Sequence, residues 1–449
     1  MSNTIKSVSD QSEQQLTDLV EQALAQAKQQ GASSVETAVS RSQGMSVTVR
    51  LGEVETVEHN RDKSLVVSVY FGHKSGSAST SDFTPAAVTD TVRAACTIAK
   101  FTAEDPYNGL ADREHLATDI PELDLYYPWP LDMDEAITLA RRCEDTARGT
   151  DSRITNSEGA SVSSHEALEV YANSHGFMGS VASTRHGLSC AVIGVEDNGM
   201  QRDYWYSAAR DAAQLDSPEE VGRVAAERTV RRLNARKIST RSSPVVFEAP
   251  VAASLLSHLT AAIRGASLYR KASFLLDHLG KQVFADHVRI HEQPHLRKAL
   301  GSAPFDNEGV ATKARDLVSD GILRGYVLDS YSARKLGMET TGNSGGVHNL
   351  TADSGTYDFE GLLRQMGTGL LVTELIGYGV NMVTGDYSRG AAGFWVEHGE
   401  ICYPVEEITV AGNLKEMFRG ITEFGTDVDL RRSTRTGSIL VDHMTVAGA

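Results

Sequence analysis

Apolar positions along this chain follow two rhythms, one helical and one alternating. Leu16, Leu19, Val20, Ala23, Leu24 and Ala27 recur at helical spacing, which predicts a helix over 14–30 that Gly31 ends. Four alternating or β-branched runs follow at 35–40, 45–51, 54–58 and 64–71, with Gly52-Glu53 and Asn60-Arg61-Asp62 as turns. Thr84 and Pro85 open a second helix to about residue 100. The stretch 105–131 carries four of the eleven prolines and reads as a connector. A third helix is predicted over 132–148, with acids in its first turn and Arg141 and Arg142 further along, as a helix dipole prefers. Strand-like runs at 161–171, 180–195 and 203–209 precede a helix opened by Ser217-Pro218-Glu219-Glu220. The basic stretch 231–241 reads as a linker.

Beyond residue 244 the texture changes. Glycines cluster, and short apolar runs at 321–325, 369–373, 393–397 and 408–411 alternate with turn signals. Short helices fit 251–263 and 414–419, and 286–290 reads as a strand. The pattern predicts an α+β protein in which helices over an antiparallel sheet precede a mostly antiparallel β domain with a few helices. Its expected units are a disordered tail over 1–12, an α+β domain over 13–110, a connector over 111–131, a middle α+β segment over 132–235 packing with the first domain, and a β-rich domain over 244–449.

A length of 449 residues predicts more than one domain. The formal net charge of −16 argues against a nucleic-acid partner. No apolar run approaches the roughly 18 residues of a membrane span, and the polar N-terminus has no signal-peptide core. The four cysteines, Cys96, Cys143, Cys190 and Cys402, are widely spaced; they read as small core residues of a reduced, cytoplasmic protein.

The sharpest chemical motif is a decoy. His291-Glu292-Gln293-Pro294-His295 matches the H-E-x-x-H zinc pattern, which works only on a helix where both imidazoles share a face. Pro294 removes a backbone donor and clashes with the preceding turn. His165-Glu166 lacks a second imidazole and reads as a solvated pair. Gly342-Asn-Ser-Gly-Gly346 lacks a nucleophile setting and reads as a flexible loop. The segment Gly385-Asp-Tyr-Ser-Arg-Gly-Ala-Ala-Gly393 reads either as a tight salt-bridged hairpin or as a substrate loop. Glycine permits close approach there, and Tyr387 and Arg389 carry directed donors. Asp386, Tyr387, Arg389 and Asn413 are the candidate substrate-binding residues.

Several strings together carry a family resemblance. Arg153-Ile-Thr-Asn-Ser-Glu-Gly159, Asn173-Ser-His-Gly176, Ser183-Thr-Arg-His186, Tyr269-Arg-Lys271, Pro304-Phe-Asp-Asn-Glu-Gly309, Gly385 to Val396 and Ala411-Gly-Asn-Leu-Lys415 resemble the TldD/PmbA metallopeptidase family in one collinear register from about residue 30 onward. The match is to its zinc-free, PmbA/TldE-like branch. The resemblance implies a cytoplasmic two-subunit peptidase that trims unfolded or extended peptides, including a microcin precursor and an antitoxin. In it, a TldD-like subunit holds zinc through His-Glu-x-x-x-His and a Cys near the C-terminus, with the Glu as general base. Here Ser257, His258 and Ala262 stand at the three helical positions and Thr436 near the fourth. The expectation is therefore no catalytic residue, metal or cofactor in this chain, and zinc in a TldD-like partner. The alternative is a homodimeric peptide-binding or adaptor protein without a peptidase role. The expected partners are that subunit or a second copy, plus an extended peptide held by strand addition along edges of the β-rich domain, with no nucleic acid and no membrane.

Overall fold

The computed structural model describes residues 10–197 and 199–448, and side chains from residue 13 onward. Its first half contains α1 (Asp10–Gln29), β1 (Ser34–Arg50), β2 (Glu53–Phe71), β3 (Lys74–Thr80), α2 (Pro85–Phe101), α3 (Met133–Thr150), β4 (Ile154–Asn173), β5 (Met178–Glu196), β6 (Gly199–Ala209) and α4 (Pro218–Arg231). The helix starts follow their sequence signals. Thr84, Asp132 and Ser217 each accept a backbone N–H of the first turn, and Pro85 and Pro218 follow the first and last of these caps. Helix α1 starts at Asp10, so the expected tail overlaps it at 10–12; the remaining tail, 1–9, lies outside the described residues.

One antiparallel sheet runs through this half in the order β3-β2-β1-β4-β5-β6. The expected four-strand meander is in fact two long strands and a short one. Asn60, Arg61 and Asp62 pair with Gly44, Gln43 and Ser42 instead of turning. Residues 53–63 of β2 are exposed, so polar side chains there cost little, while the backbone bonds to β1 keep the strand extended. Helices α1 and α2 bury Leu16, Val20, Val88 and Val92 against one end of the sheet, and α3 and α4 bury Ala140, Cys143, Val221 and Ala225 against the other.

The second half contains β7 (Arg241–Phe247), α5 (Ala249–Ile263), α6 (Gly265–Tyr269), β8 (Ile290–Glu292), β9 (Arg315–Ser319), β10 (Ile322–Leu323), α7 (Ser330–Leu336), β11 (Leu350–Ala352), α8 (Phe359–Met366), β12 (Gly369–Ile376), β13 (Asp386–Glu397), β14 (Glu400–Asn413), α9 (Leu414–Arg419), β15 (Ile421–Phe424), β16 (Thr434–Arg435) and β17 (Ile439–Ala447). The strand expected at 286–290 sits later, at β8. The larger sheet has the order β14-β13-β12-β7-β17-β15, and β14 also pairs with β17. This pairing closes the sheet on itself and removes the long free edges expected of this domain. The smaller sheet has the order β10-β9-β8-β11-β16. Most pairs are antiparallel; β7–β12 and β11–β16 are parallel. Cys402 is exposed, contrary to its expected core role, while Cys96, Cys143 and Cys190 are buried. No helix among the described residues is long and apolar enough to cross a membrane.

Candidate functional site

Helix α5 leaves β7 and crosses the larger sheet. Leu255, Leu256, Leu259 and Ile263 are fully buried on one stripe, and Ser257 is exposed on the opposite one. Ser257 donates to the Ser254 carbonyl at 2.7 Å, while Ala262 lies wholly in the core. On a regular helix these two positions are about 140° apart, so they do not face a common point. Thr436 follows β16, which packs against α5; its buried hydroxyl donates to the Gly437 carbonyl at 3.0 Å. Among the described residues, no three His, Cys, Asp or Glu side chains gather where one metal ion could sit. The donors present do not fit zinc: a hydroxyl, a lone imidazole and a methyl group replace the ligand set.

The H-E-x-x-H string lies partly on strand β8 and then in a loop. His291 is 3.3 Å from Asp353, and His295 bonds the Thr312 hydroxyl at 3.0 Å. Glu292 is 1% exposed and fully engaged. Its carboxylate accepts Arg315 Nε at 2.6 Å, Asn343 Nδ2 at 3.2 and 3.0 Å, and the His348 amide at 3.1 Å. The loop 342–346 is therefore pinned instead of free: Asn343 binds Glu292, and the Ser344 amide donates to Asp306. Glu166 is buried and accepts from Tyr126, because β4 lies inside the sheet; it is not part of a solvated pair.

The candidate residues of the glycine-rich segment separate into two groups. Gly385, at φ +87°, immediately precedes β13, along which successive side chains alternate between faces. Asp386 and Asn413 form a surface knot. Asn413 caps α9 and donates to Asp386 at 3.1 Å, while Thr384 donates to Asp386 at 2.6 Å. Tyr387 and Arg389 share the other face and meet α5. Tyr387 is 2% exposed, and its ring stands edge-on to His258 with centroids 5.9 Å apart. Further along β13, a Cβ at Gly393 would lie 1.8 Å from the Leu371 carbonyl, so only glycine admits this approach of β12.

The electrostatics there follow from burial. Burial, with the nearby Arg389 charge, pushes His258 down to about 4, so it is neutral at pH 7. Burial pushes Tyr387 up to about 12, keeping its hydroxyl protonated. Among the described residues, His258 Nε2, Tyr387 Oη, Arg389 Nε, Ser254 Oγ and Thr373 Oγ1 are buried here without a hydrogen-bond partner. Arg389 lies near the Tyr387 phenol without hydrogen-bond geometry.

Ser254, Thr373 and Arg389 line a cavity of about 270 Å³ that Trp205, Arg228 and Arg432 close from the other side. Sequence reading missed Ser254, Thr373 and Arg432. A polar Thr373 directly after the apolar run Leu370-Leu-Val372, and an Arg431-Arg432 pair in an acidic chain, were the available signals. A larger cavity, about 470 Å³, lies between the first sheet and the 302–307 loop. On its wall Arg210 is already bonded to the carbonyls of Thr184, Ala299 and Leu300, so unmet donors mark the smaller cavity instead.

Comparison with known proteins covers the whole architecture. Residues 35–99 match the PmbA/TldA metallopeptidase domain 1, residues 126–233 its central domain, and residues 240–448 its C-terminal domain. A protein named metalloprotease PmbA, from Escherichia coli O157:H7, is 52% identical over 425 residues, covering 95% of this chain and 94% of that protein. A crystal structure from Bacteroides thetaiotaomicron, of a protein whose name links it to modulation of DNA gyrase, is 28% identical and superposes with a TM-score of 0.93 over 98% of this chain and all of that one. TldE from Thermococcus kodakarensis, at 21% identity, shares the fold with a TM-score of 0.80 over 97% of this chain and 100% of that one. With three consecutive domains matched and half of its residues shared with a full-length relative, the chain belongs to the PmbA/TldD metallopeptidase family.

Proposed function

We propose that this chain is the zinc-free, PmbA/TldE-like subunit of a two-subunit cytoplasmic peptidase, acting by assembly and by presenting extended peptide to a zinc-bearing TldD-like partner. One observation carries this reading. The family's metal helix is intact here as a helix, but Ser257, His258 and Ala262 replace its ligands and base. A catalytic zinc needs three protein ligands and an open position, and a hydrolytic step needs a base near pH 7. His258, held neutral by burial beside Arg389, has neither a second ligand nor a carboxylate with it. Hydrolysis in this reading belongs to the partner. This chain contributes a wall of the chamber, with Arg389 as a contact to substrate and the buried Tyr387 packed behind it against His258.

The test is co-expression with a His-Glu-x-x-x-His paralogue, followed by metal analysis and peptide cleavage assays on each chain and on the mixture. The expected result is stoichiometric zinc and cleavage only where the paralogue is present. Cleavage by this chain alone, or stoichiometric zinc lost on His291→Ala, would overturn the reading. A stable homodimer that ignores the paralogue yet binds peptides would favour an adaptor role instead.

A further inference from the structure

The cavity beside α5 is an unusual place for positive charge to go unanswered. The chain carries 59 acidic against 43 basic side chains, yet no carboxylate reaches Arg389 or Arg432 within ion-pair distance among the described residues. The acids that line the cavity are already engaged, and Asp429, which acts on Arg432 from beyond ion-pair distance, bonds Arg431 through Oδ1 at 2.8 Å while its Oδ2 is unpartnered. Asp203 lies 3.5 Å from both Arg228 and Arg232, Glu374 lies 2.5 Å from Arg232, and Glu248 lies 2.9 Å from Arg228. The Arg432 Nε donates to the Tyr206 hydroxyl at 2.6 Å, leaving its terminal nitrogens. Beside these two guanidinium groups, of which Arg389 Nε is unpartnered, stand the unpartnered Ser254 Oγ and Thr373 Oγ1. Buried polar atoms are normally satisfied, and a group of donors lacking acceptors marks the shape of a missing acceptor.

We propose that this cavity binds a peptide carboxylate, through the Arg389 and Arg432 guanidinium groups and the Ser254 and Thr373 hydroxyls. The ligand is either the C-terminal carboxylate of an extended chain or an Asp or Glu side chain within it. The site rests on the reading above only in taking a peptide as the ligand.

Three further observations narrow the chemistry. A cation is repelled by two unpaired arginines, whereas guanidinium pairs a carboxylate through two parallel hydrogen bonds. A cavity of about 270 Å³ falls below the roughly 300–1,000 Å³ that accommodates drug-sized ligands and cofactors, and it suits one chain end or one side chain. The neighbouring edge of β6 is already occupied. The Tyr206 carbonyl accepts from Arg431 at 3.0 Å and the Arg202 carbonyl from Arg232 at 3.1 Å, so a peptide cannot add there as a strand and is held by its charge. Trp205 gives the cavity an aromatic wall, steadied by Arg431 stacked 3.9 Å from its ring.

The experiment is calorimetry at pH 7 and low salt with the full-length chain alone. The probes are N-acetyl tetra-alanine with a free carboxylate, the same peptide as its amide, the amide with one internal Glu, and inorganic phosphate. At least one carboxylate-bearing peptide is expected to bind ten-fold or more tighter than the plain amide; which of the two does so identifies the source of the carboxylate. Arg389→Gln and Arg432→Gln are each expected to abolish that difference. Ser254→Ala and Thr373→Val remove hydroxyls that have no partner among the described residues, and each is expected to weaken binding several-fold while leaving the melting temperature unchanged. Arg389→Gln is expected to melt no lower than the parent, because Arg389 has no ion pair among the described residues to lose. Equal binding of acid and amide, tighter binding of phosphate than of either peptide acid, or unchanged binding in the Ser254 and Thr373 variants overturns the proposal. Cleavage by the mixed complex without acid preference would sink the carboxylate site and leave the peptidase reading standing. Acid-selective binding by a chain that never supports cleavage would do the reverse.

Discussion

Two buried polar clusters in the C-terminal half make opposite use of the same kinds of side chain. Around β8, Glu292 is enclosed by Arg315, Asn343 and the His348 amide, with both oxygens engaged. Around α5, Tyr387, Arg389, Ser254 and Thr373 hold out donors that nothing accepts. A fully satisfied network in a low-dielectric interior rigidifies the fold around it. An unsatisfied one costs folding energy, and a protein retains it where a ligand repays it. The string that looked like a zinc motif is engaged in the fold, and the proposed site lies where hydrogen bonds are missing.

The largest test of this contrast is at Glu292. Glu292→Ala removes a buried carboxylate and strands the Asn343 amide, while the half-buried Arg315 keeps only Asn343 Oδ1 at 2.7 Å; chemical denaturation is expected to show a loss of about 3 kcal/mol. A loss near zero would mean the two clusters do not differ in the way described.

Glu308 sits between the two extremes. Burial raises its carboxyl from the ordinary 4.5 to about 7, partly offset by the Ser330 amide, which donates to it at 3.0 Å, and reinforced by Asp306 and Asp329. A raised acid favours the folded state when protonated. Its contribution is fully present below pH 4.5 and fades as pH rises through about 7. Relative to Glu308→Gln, the parent is expected to lose stability on the order of 2 kcal/mol across that window, discounted for partial exposure. Parallel stability profiles from pH 4 to pH 8 would contradict this.

At Arg389 the expected loss is of activity, not of stability. Arg389→Ala is expected to lower turnover by the mixed complex about ten-fold, equivalent to about 1.4 kcal/mol, with assembly unchanged by gel filtration. Unchanged turnover would remove the α5 cluster from substrate contact. The smallest effect is expected at Ser257→His. The position is exposed, so stability should stay within about 0.5 kcal/mol. One imidazole added beside His258 still falls short of three ligands and a base, so no zinc should copurify and no activity appear. Retained zinc would erase the distinction between the two clusters.

Much of the fold was legible because its signals are local. The caps at Thr84, Asp132 and Ser217 and the prolines behind two of them fix helix starts from neighbouring residues. The long β1–β2 ribbon was misread because Asn60-Arg61-Asp62 resembles a turn, and only the pairing with 42–44 decides otherwise. The pinned 342–346 loop was misread for the same reason, since Glu292 lies far away in sequence.

The sequence by itself determined which chemical groups are present: Ser257, His258 and Ala262 in place of a ligand set, and a strand alternation that puts Tyr387 and Arg389 on one face. Tertiary structure alone decided which of those groups are answered. It turned Asp386 and Asn413 toward each other at the surface, and brought Ser254, Thr373 and Arg432 to Arg389 from three distant segments. The physical reason is that side-chain chemistry and backbone alternation are properties of adjacent residues, whereas burial and hydrogen-bond satisfaction belong to whatever the rest of the chain packs alongside.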